Sequence, residues 1–554
     1  MPRRTFLQTA SVAAAGALVT PRLAGSDRRA DVVLRRATVF DGTGAPGREL
    51  DVAVLGDRIV DVGPRLPAGS EEIDLAGLAL APGFIDVHSH ADLSLLVNPR
   101  AESRIRQGVT LEVVGQDGSS VGPWSEDRYR RTRESYRERF GVEIDFRDPA
   151  GFLGAIDRAR PAVGVATMVG NGTIRALVVG DEDRPATAAE LQRMKDEVRE
   201  AMGGGCVGLS SGLEYTPSGF ADPGELVELA SVLRGTGRPY ASHMRNEDDR
   251  LLAAVEEAIH VGRMAGVPVQ ISHLKAQGRR NYWKQGVVLE LLGRARREGV
   301  DALFDAYPYT AYQTGLSNLF PTALRAGGTE AFLRRLRAPE TAARLERACR
   351  DKVALLGDWN SVQIASTNDE TVWARGRLVG DLARERGTDP YELTLLLLEA
   401  NRGGVGMIGH GMDEDNVVEL LAHPMGLVCS DGGAHAPYGP LSQSSPHPRG
   451  YGTFPRLLGR YVREKGVLTL EAAVHKVTGR AARRLGLQDR GTIRQGAFAD
   501  LVAFDPREAA DRATFEDPHQ YPVGIPLVVV NGVITLRDGA HTGDRGGRGV
   551  RGGA

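Results

Sequence analysis

Two histidines one residue apart, His88 and His90, end a short apolar run that begins at Gly83. In an extended strand, residues i and i+2 share a face, so both imidazoles point the same way and can bind one metal ion. Three other apolar runs also stop at polar donors: Ser242-His243-Met244, Ser272-His273-Leu274-Lys275 and Cys429-Ser430-Asp431-Gly432. Imidazole and carboxylate ligands suit zinc and related divalent ions such as cobalt and manganese. A cation held by His88, His90, His243, His273 and Asp431 would acidify water and polarise a carbonyl. Asp431, beside that cation, is the expected catalytic base, taking a proton from water and returning one to a leaving amine. A single buried histidine is more often a packing or hydrogen-bonding residue, so the weight rests on the joint pattern. Of the remaining histidines, His435 and His447 fall in the loop after Asp431, and the others have no such register.

These donors need a scaffold that brings strand ends together. Eight apolar runs read as strands: Phe84–His88, Leu111–Gly115, Val163–Val169, Val207–Ser211, Pro239–His243, Val267–His273, Ala302–Tyr307 and Leu427–Asp431. Helical patterns such as Ala188–Met202 and Asp248–Met264 separate them. This alternation predicts an α/β fold, a (β/α)8 TIM-type barrel, whose strand C-termini converge on one mouth. The barrel spans residues 81–489, with an inserted subdomain at about 315–405 between the seventh and eighth strands. Alternating runs and Gly/Asp turns over 30–80 and 490–542, including the hairpin signal Asn531-Gly532, predict one small β-sandwich-like domain built from both chain ends. The Gly/Arg-rich segment 543–554 is expected to be a disordered tail.

Composition sets limits on function. The chain has 554 residues, with 69 Lys+Arg against 71 Asp+Glu and a net charge of −2, so no basic excess offers a nucleic-acid surface. Three scattered cysteines make a disulfide framework unsuited and supply no CxxC metal site. Residues 1–29 hold Arg3-Arg4 before Phe6-Leu7 and a mild apolar run, Ala10 to Val19. That run is shorter than the roughly 20 residues of a membrane span. It fits an export signal of the twin-arginine type, which implies a periplasmic or extracellular protein without stable membrane insertion.

The assembled motifs resemble the amidohydrolase superfamily, and within it the D-aminoacylase / N-acyl-D-amino-acid deacylase family. They are Pro82-Gly-Phe-Ile-Asp-Val-His-Ser-His90, Gly108-Val-Thr110, Gly212-Leu-Glu-Tyr-Thr-Pro217, Ser242-His-Met-Arg-Asn-Glu247, Ser272-His-Leu-Lys275, Asp305-Ala-Tyr-Pro-Tyr309, His447-Pro-Arg449 and Ala540-His-Thr-Gly543. The resemblance covers nearly the whole chain. It implies one or two divalent metals and a small-molecule N-acyl amino acid or small peptide as substrate. It also implies that Lys275, Tyr307 and Arg449 meet the substrate carboxylate.

One position departs from the family. Where members carry a cysteine ligand after the second strand, this chain reads Gly115-Gln116-Asp117-Gly118. Asp117 is therefore expected to be a ligand, although an aspartate there also suits a plain Asx turn. Glu214 is a weaker candidate. No lysine ends the fourth strand, so a carboxylated-lysine bridge is not indicated. Arg245 and Glu247 read as an ion pair at the mouth. The leading reading is hydrolysis of N-acyl-D-amino acids; a cyclic-amide hydrolase, a dipeptidase and a non-catalytic scaffold are the alternatives.

Overall fold

The computed structural model describes residues 29–553. The expected leader lies, apart from Arg29, outside the described residues. Eight parallel strands form the barrel: Phe84–Asp86, Val109–Val114, Gly164–Thr167 continued by Val169–Gly170, Leu209–Gly212, Tyr240–His243, Val269–Ile271, Ala302–Ala306 and Gly426–Val428. The ring closes between the last and first strands, where Asp431 N donates to His88 O at 2.9 Å and His90 N to Gly432 O at 3.0 Å. These strands are buried on both faces because crossover helices cover the outside and side chains fill the inside. Several helices start at designed-looking stops: Asp148-Pro149, Asp222-Pro223 and Asp389-Pro390 each pair a capping carboxylate with proline at the first helical position.

Several strands stop earlier than their apolar runs predict. The first ends at Asp86, the sixth at Ile271 and the eighth at Val428. The backbone turns there, and His273 (φ 34°) and Asp431 (φ 49°) take up left-handed conformations. The pleat thus gives way where the chain must aim a polar side chain at the mouth.

The segments 30–80 and 490–542 join in one sheet. The strand Val32–Val39 runs antiparallel to Arg48–Leu55 and parallel to both Glu71–Asp74 and Ala79–Pro82. Ala79–Pro82 then pairs with Leu501–Phe504, so the two chain ends share main-chain bonds. Phe504 from this sheet, Phe84 from the first barrel strand and Phe454 from the helix Arg449–Arg456 meet with ring centroids 5.7 and 6.2 Å apart. All three are fully buried. Each such side chain contributes roughly 1.5–3 kcal/mol through burial, which seats the sheet firmly against the barrel.

Between the seventh and eighth strands the chain builds its own layer. An antiparallel sheet of Tyr312–Gly315, Gly406–Gly409 and Val362–Ser366 carries helices that include Gly328–Arg337, Ala342–Leu356 and Pro390–Ala400.

The tail expected to be disordered is instead pinned to the barrel. Arg548 O accepts from Val165 N (3.0 Å), Val550 N donates to Val165 O (2.7 Å), and Gly552 N donates to Gly205 O (3.0 Å). Arg551 pairs with Asp157 at 2.6 Å and Arg548 with Asp57 at 2.9 Å. Main-chain bonds of this kind are available to any sequence, so Gly/Arg composition gave no sign of them.

Candidate metal centre

The first strand's end places His88 and His90, and the turn after the second strand places Asp117. That turn is narrow: Gly115, Asp117 and Gly118 all have positive φ (72°, 53° and 71°). It is tied down by Ser210, whose hydroxyl donates to Gly115 O (2.6 Å) and accepts from Gly118 N (3.2 Å). A non-glycine residue in this region costs energy, and such strain collects at functional sites. Asp117, His273 and Asp431 all carry it.

The six expected ligands converge. Asp117 Oδ1 lies 3.4 Å from His88 Nε2, and its Oδ2 lies 3.4 Å from His90 Nε2, 3.5 Å from His243 Nδ1 and 3.3 Å from His273 Nε2. Asp431 Oδ1 lies 3.1 Å from His90 Nε2 and 3.6 Å from His88 Nε2. A third group of possible ligands, Glu214, His243 and Glu247, adjoins two that hold the expected residues: His88, His90, Asp117 and Asp431; and Asp117, His243 and His273. Asp117 belongs to both of these two.

A metal fits these residues. Tetrahedral zinc with ligands at about 2.0–2.1 Å requires donor atoms roughly 3.3 Å apart, and the separations above cluster around that value. Two of the buried donors aimed into the group, His88 Nε2 and Asp117 Oδ1, also lack any hydrogen-bond partner. Orphaned buried polar atoms are costly, so a cation that uses them removes a standing penalty. The charges agree. Burial works against ionisation, yet the imidazoles of His273, His88 and His243 hold Asp117 well below the usual carboxylate range. Burial likewise opposes the charge on His243, but Glu247 and Asp117 raise it to about 10. Carboxylates that draw protons onto imidazoles this strongly will also draw a divalent cation, which must displace those protons.

The centre floors a cavity of about 760 Å³, lined among others by Trp124, Tyr215, Tyr312, Lys275 and Arg449. This is the size range of a small-molecule site. His90 opens to it, with 37% of its side chain exposed, whereas His88 is at 1%. Arg449 Nη1 lies 2.7 Å from Asp431 Oδ2, and its loop is held by His447, whose Nδ1 accepts from Arg449 N (3.0 Å) and whose Nε2 faces Ala311 O (2.9 Å). Lys275 Nζ donates to Glu247 Oε1 at 2.6 Å. Tyr307 is buried beneath both cations, its ring 5.8 Å from Lys275 Nζ and 4.7 Å from the Arg449 guanidinium. Glu214 Oε2 is 3.6 Å from His243 Nε2. His435 and His447 line the cavity but join neither ligand group.

The expected Arg245–Glu247 pair does not form. Arg245 reaches Glu257 on the next helix at 2.7 Å and the main-chain oxygens of Gly219 and Ala221. Glu247 turns inward to Lys275 and Gln277. Two residues of separation put them on one run of chain, but beyond the strand end the backbone no longer keeps them on one face. Sequence reasoning also missed the fully buried Arg104, which bonds Asp86, Glu112, Ser430 and Gly450 O and so ties the segments carrying His88, Asp431 and Arg449. An arginine in a short helix carries no sign of this role.

The chain matches the Amidohydrolase family over residues 71–218 and 326–536. It belongs to that family. It is 36% identical to a D-aminoacylase of Alcaligenes xylosoxydans xylosoxydans, covering 94% of this chain and 97% of the relative. An N-acyl-D-aspartate deacylase of the same organism is 36% identical, with 93% of each chain covered. Among solved structures, an N-acyl-D-glutamate deacylase from Bordetella bronchiseptica, complexed with zinc and a phosphonate inhibitor, superposes with a TM-score of 0.79 at 34% identity, covering 95% of this chain and 100% of that one. A D-aminoacylase described as having a binuclear metal centre gives a TM-score of 0.79 at 35% identity, covering 94% and 100%. An L-hydantoinase from Arthrobacter aurescens, 16% identical with a TM-score of 0.54, shares the fold alone.

Proposed function

We propose that this chain hydrolyses the amide bond of N-acyl-D-amino acids, with zinc as the cation. The observation that carries the reading is the pair of ligand groups sharing Asp117 at the floor of a cavity whose wall presents Lys275 and Arg449. Relatives of 34–36% identity over more than nine-tenths of the chain act on N-acyl-D-amino acids, which sets the substrate class.

His88, His90, Asp117, His243, His273 and Asp431 would hold the metal, with Asp117 common to both groups. The metal supplies Lewis-acid polarisation of the scissile carbonyl and an acidified water at neutral pH. Asp431 takes the proton from the attacking water on a carboxylate oxygen and delivers it to the departing amine nitrogen. Burial opposes charge on this carboxyl, but Arg449 and the imidazole of His273 hold it strongly below its ordinary range, so it is ionised and able to face the cation. Arg449 and Lys275 bind the substrate carboxylate, and Tyr307 supports both cations through its ring face.

Paired N-acetyl-D- and N-acetyl-L-amino acids, assayed with added zinc, cobalt or manganese and with hydantoin as control, test the reading. Release of free D-amino acid alone supports it; ring opening of hydantoin without deacylation refutes it. Asp431→Asn is expected to lower kcat at least 10²-fold in protein that still folds, and near-native kcat in that variant would remove Asp431 from its role. Export through the twin-arginine route belongs to the same proposal, and Arg3→Lys with Arg4→Lys should leave the protein in the cytoplasmic fraction.

A further inference from the structure

The nitrogen of His273 that faces the ligand group is Nε2. A neutral imidazole offers a metal only its unprotonated nitrogen, so the ring proton belongs on Nδ1 and needs an acceptor. Glu247 Oε1 lies 3.2 Å from Nδ1. Lys275 Nζ is also 2.7 Å from Nδ1. It cannot donate to a nitrogen that carries a proton, so the ammonium is left with Glu247 and the cavity.

Glu247 is itself held. It is 1% exposed, and its Oε2 accepts from Gln277 Nε2 at 2.8 Å. Gln277 Oε1 accepts from Lys352 Nζ at 3.1 Å, and Lys352 also donates to Asp248 Oδ2 at 2.6 Å. Lys352 belongs to the helix Ala342–Leu356 of the insertion. Among the described residues its pair with Asp248 is the one ion pair that crosses from residues 316–405 to the barrel. The lysine also fixes which way the Gln277 amide faces. Its oxygen must meet the ammonium, so its NH2 must meet Glu247. Without the lysine the amide can turn over and set an oxygen against a carboxylate.

We propose that Glu247 and Lys352 are positioning residues: Glu247 fixes His273 for the cation and aims Lys275 into the cavity, and Lys352, acting through Gln277, keeps Glu247 in place. The inserted subdomain thereby sets the metal affinity of a centre to which it contributes none of the ligands. This rests on the metal-dependent reading above. Wild-type protein that binds no zinc in a chelator competition would end that reading; the comparison among variants tests the inference by itself.

Zinc affinity of the full-length protein is measured by competition with a coloured chelator, alongside kcat, KM and melting temperature. Partners behind a ligating histidine are worth about 10–100-fold in metal affinity. Glu247→Gln should therefore weaken zinc about 10–100-fold and raise KM. Lys352→Met and Gln277→Leu should each weaken zinc about tenfold and raise KM more than they lower kcat. Their double variant should lose no more than the weaker-binding single one, and Lys352→Arg should stay close to wild type. If Lys352→Met does not fold, Gln277→Leu carries the same test. Folded Glu247→Gln, Lys352→Met or Gln277→Leu protein with zinc affinity and KM within twofold of wild type would overturn the proposal, as would additive losses in the double variant.

Discussion

Replacing Arg104 with methionine tests how the centre is held from behind. The side chains of Arg104, Asp86 and Glu112 are all 0% exposed, and the guanidinium is the cation that both carboxylates share. Its other donors reach Ser430 Oγ at 2.8 Å and Gly450 O at 3.3 Å. Methionine fills similar volume but leaves buried acids without a counter-charge, and breaking a buried pair in this way costs about 3–5 kcal/mol. The loss has a pH signature. In the intact protein, burial, opposed by Arg104 but reinforced by Glu112, pushes the Asp86 carboxyl up to about 7. A folded-state value above the unfolded one contributes stability that is fully present in acid and is lost as pH rises from about 4 toward 7. With the guanidinium gone, that upper limit moves higher still. The variant's deficit should therefore grow above pH 7 by up to about 1.4 kcal/mol per pH unit per proton. Urea midpoints of wild type and Arg104→Met at pH 6 and pH 9 measure this directly. An unchanged midpoint, or a deficit equal at both pH values, would refute the argument.

Four further outcomes follow from the geometry. Asp117→Ala removes a donor from both ligand groups, so metal affinity should fall by more than the roughly 100-fold that loss of an outer partner costs. Asp117→Cys should restore zinc binding, because a thiolate is a better zinc ligand; both are read by elemental analysis of dialysed protein. Metal affinity should rise with pH, by about tenfold per unit for each proton displaced, since His243 is held up to about 10 and His90 well above its ordinary value; calorimetry in buffers of different ionisation enthalpy counts the protons, and zero released would contradict the charge account. Deleting residues 546–554 strips Val165 of two main-chain partners at about 1–3 kcal/mol each, so melting should fall by several degrees.

What the sequence disclosed was the part of the site that follows strand periodicity. His88 and His90 lie just past the first strand's end at Asp86, but main-chain bonds to the last strand (Asp431 N to His88 O and His90 N to Gly432 O) carry its alternation on, and His243 closes its own strand, so alternation and barrel closure together were enough to bring them to one mouth. Asp117 was visible only through its alignment with a family ligand; nothing in Gly-Gln-Asp-Gly separates a ligand from a turn residue until the strained backbone is seen. The partners of Glu247 were not legible, because they depend on which way the chain turns after the strand ends. Gln277 lies 30 residues away and Lys352 sits in an insertion whose placement against the barrel has no local code. The tail was misjudged for a related reason: it is held by main-chain bonds, to which side-chain composition is blind.

The most direct measurement is the metal content and activity of the purified chain before and after exhaustive chelation. At least one equivalent of divalent metal, lost together with deacylation of an N-acetyl-D-amino acid and restored with it by zinc, is the expected result. Full hydrolysis by protein free of metal would contradict the account at its centre.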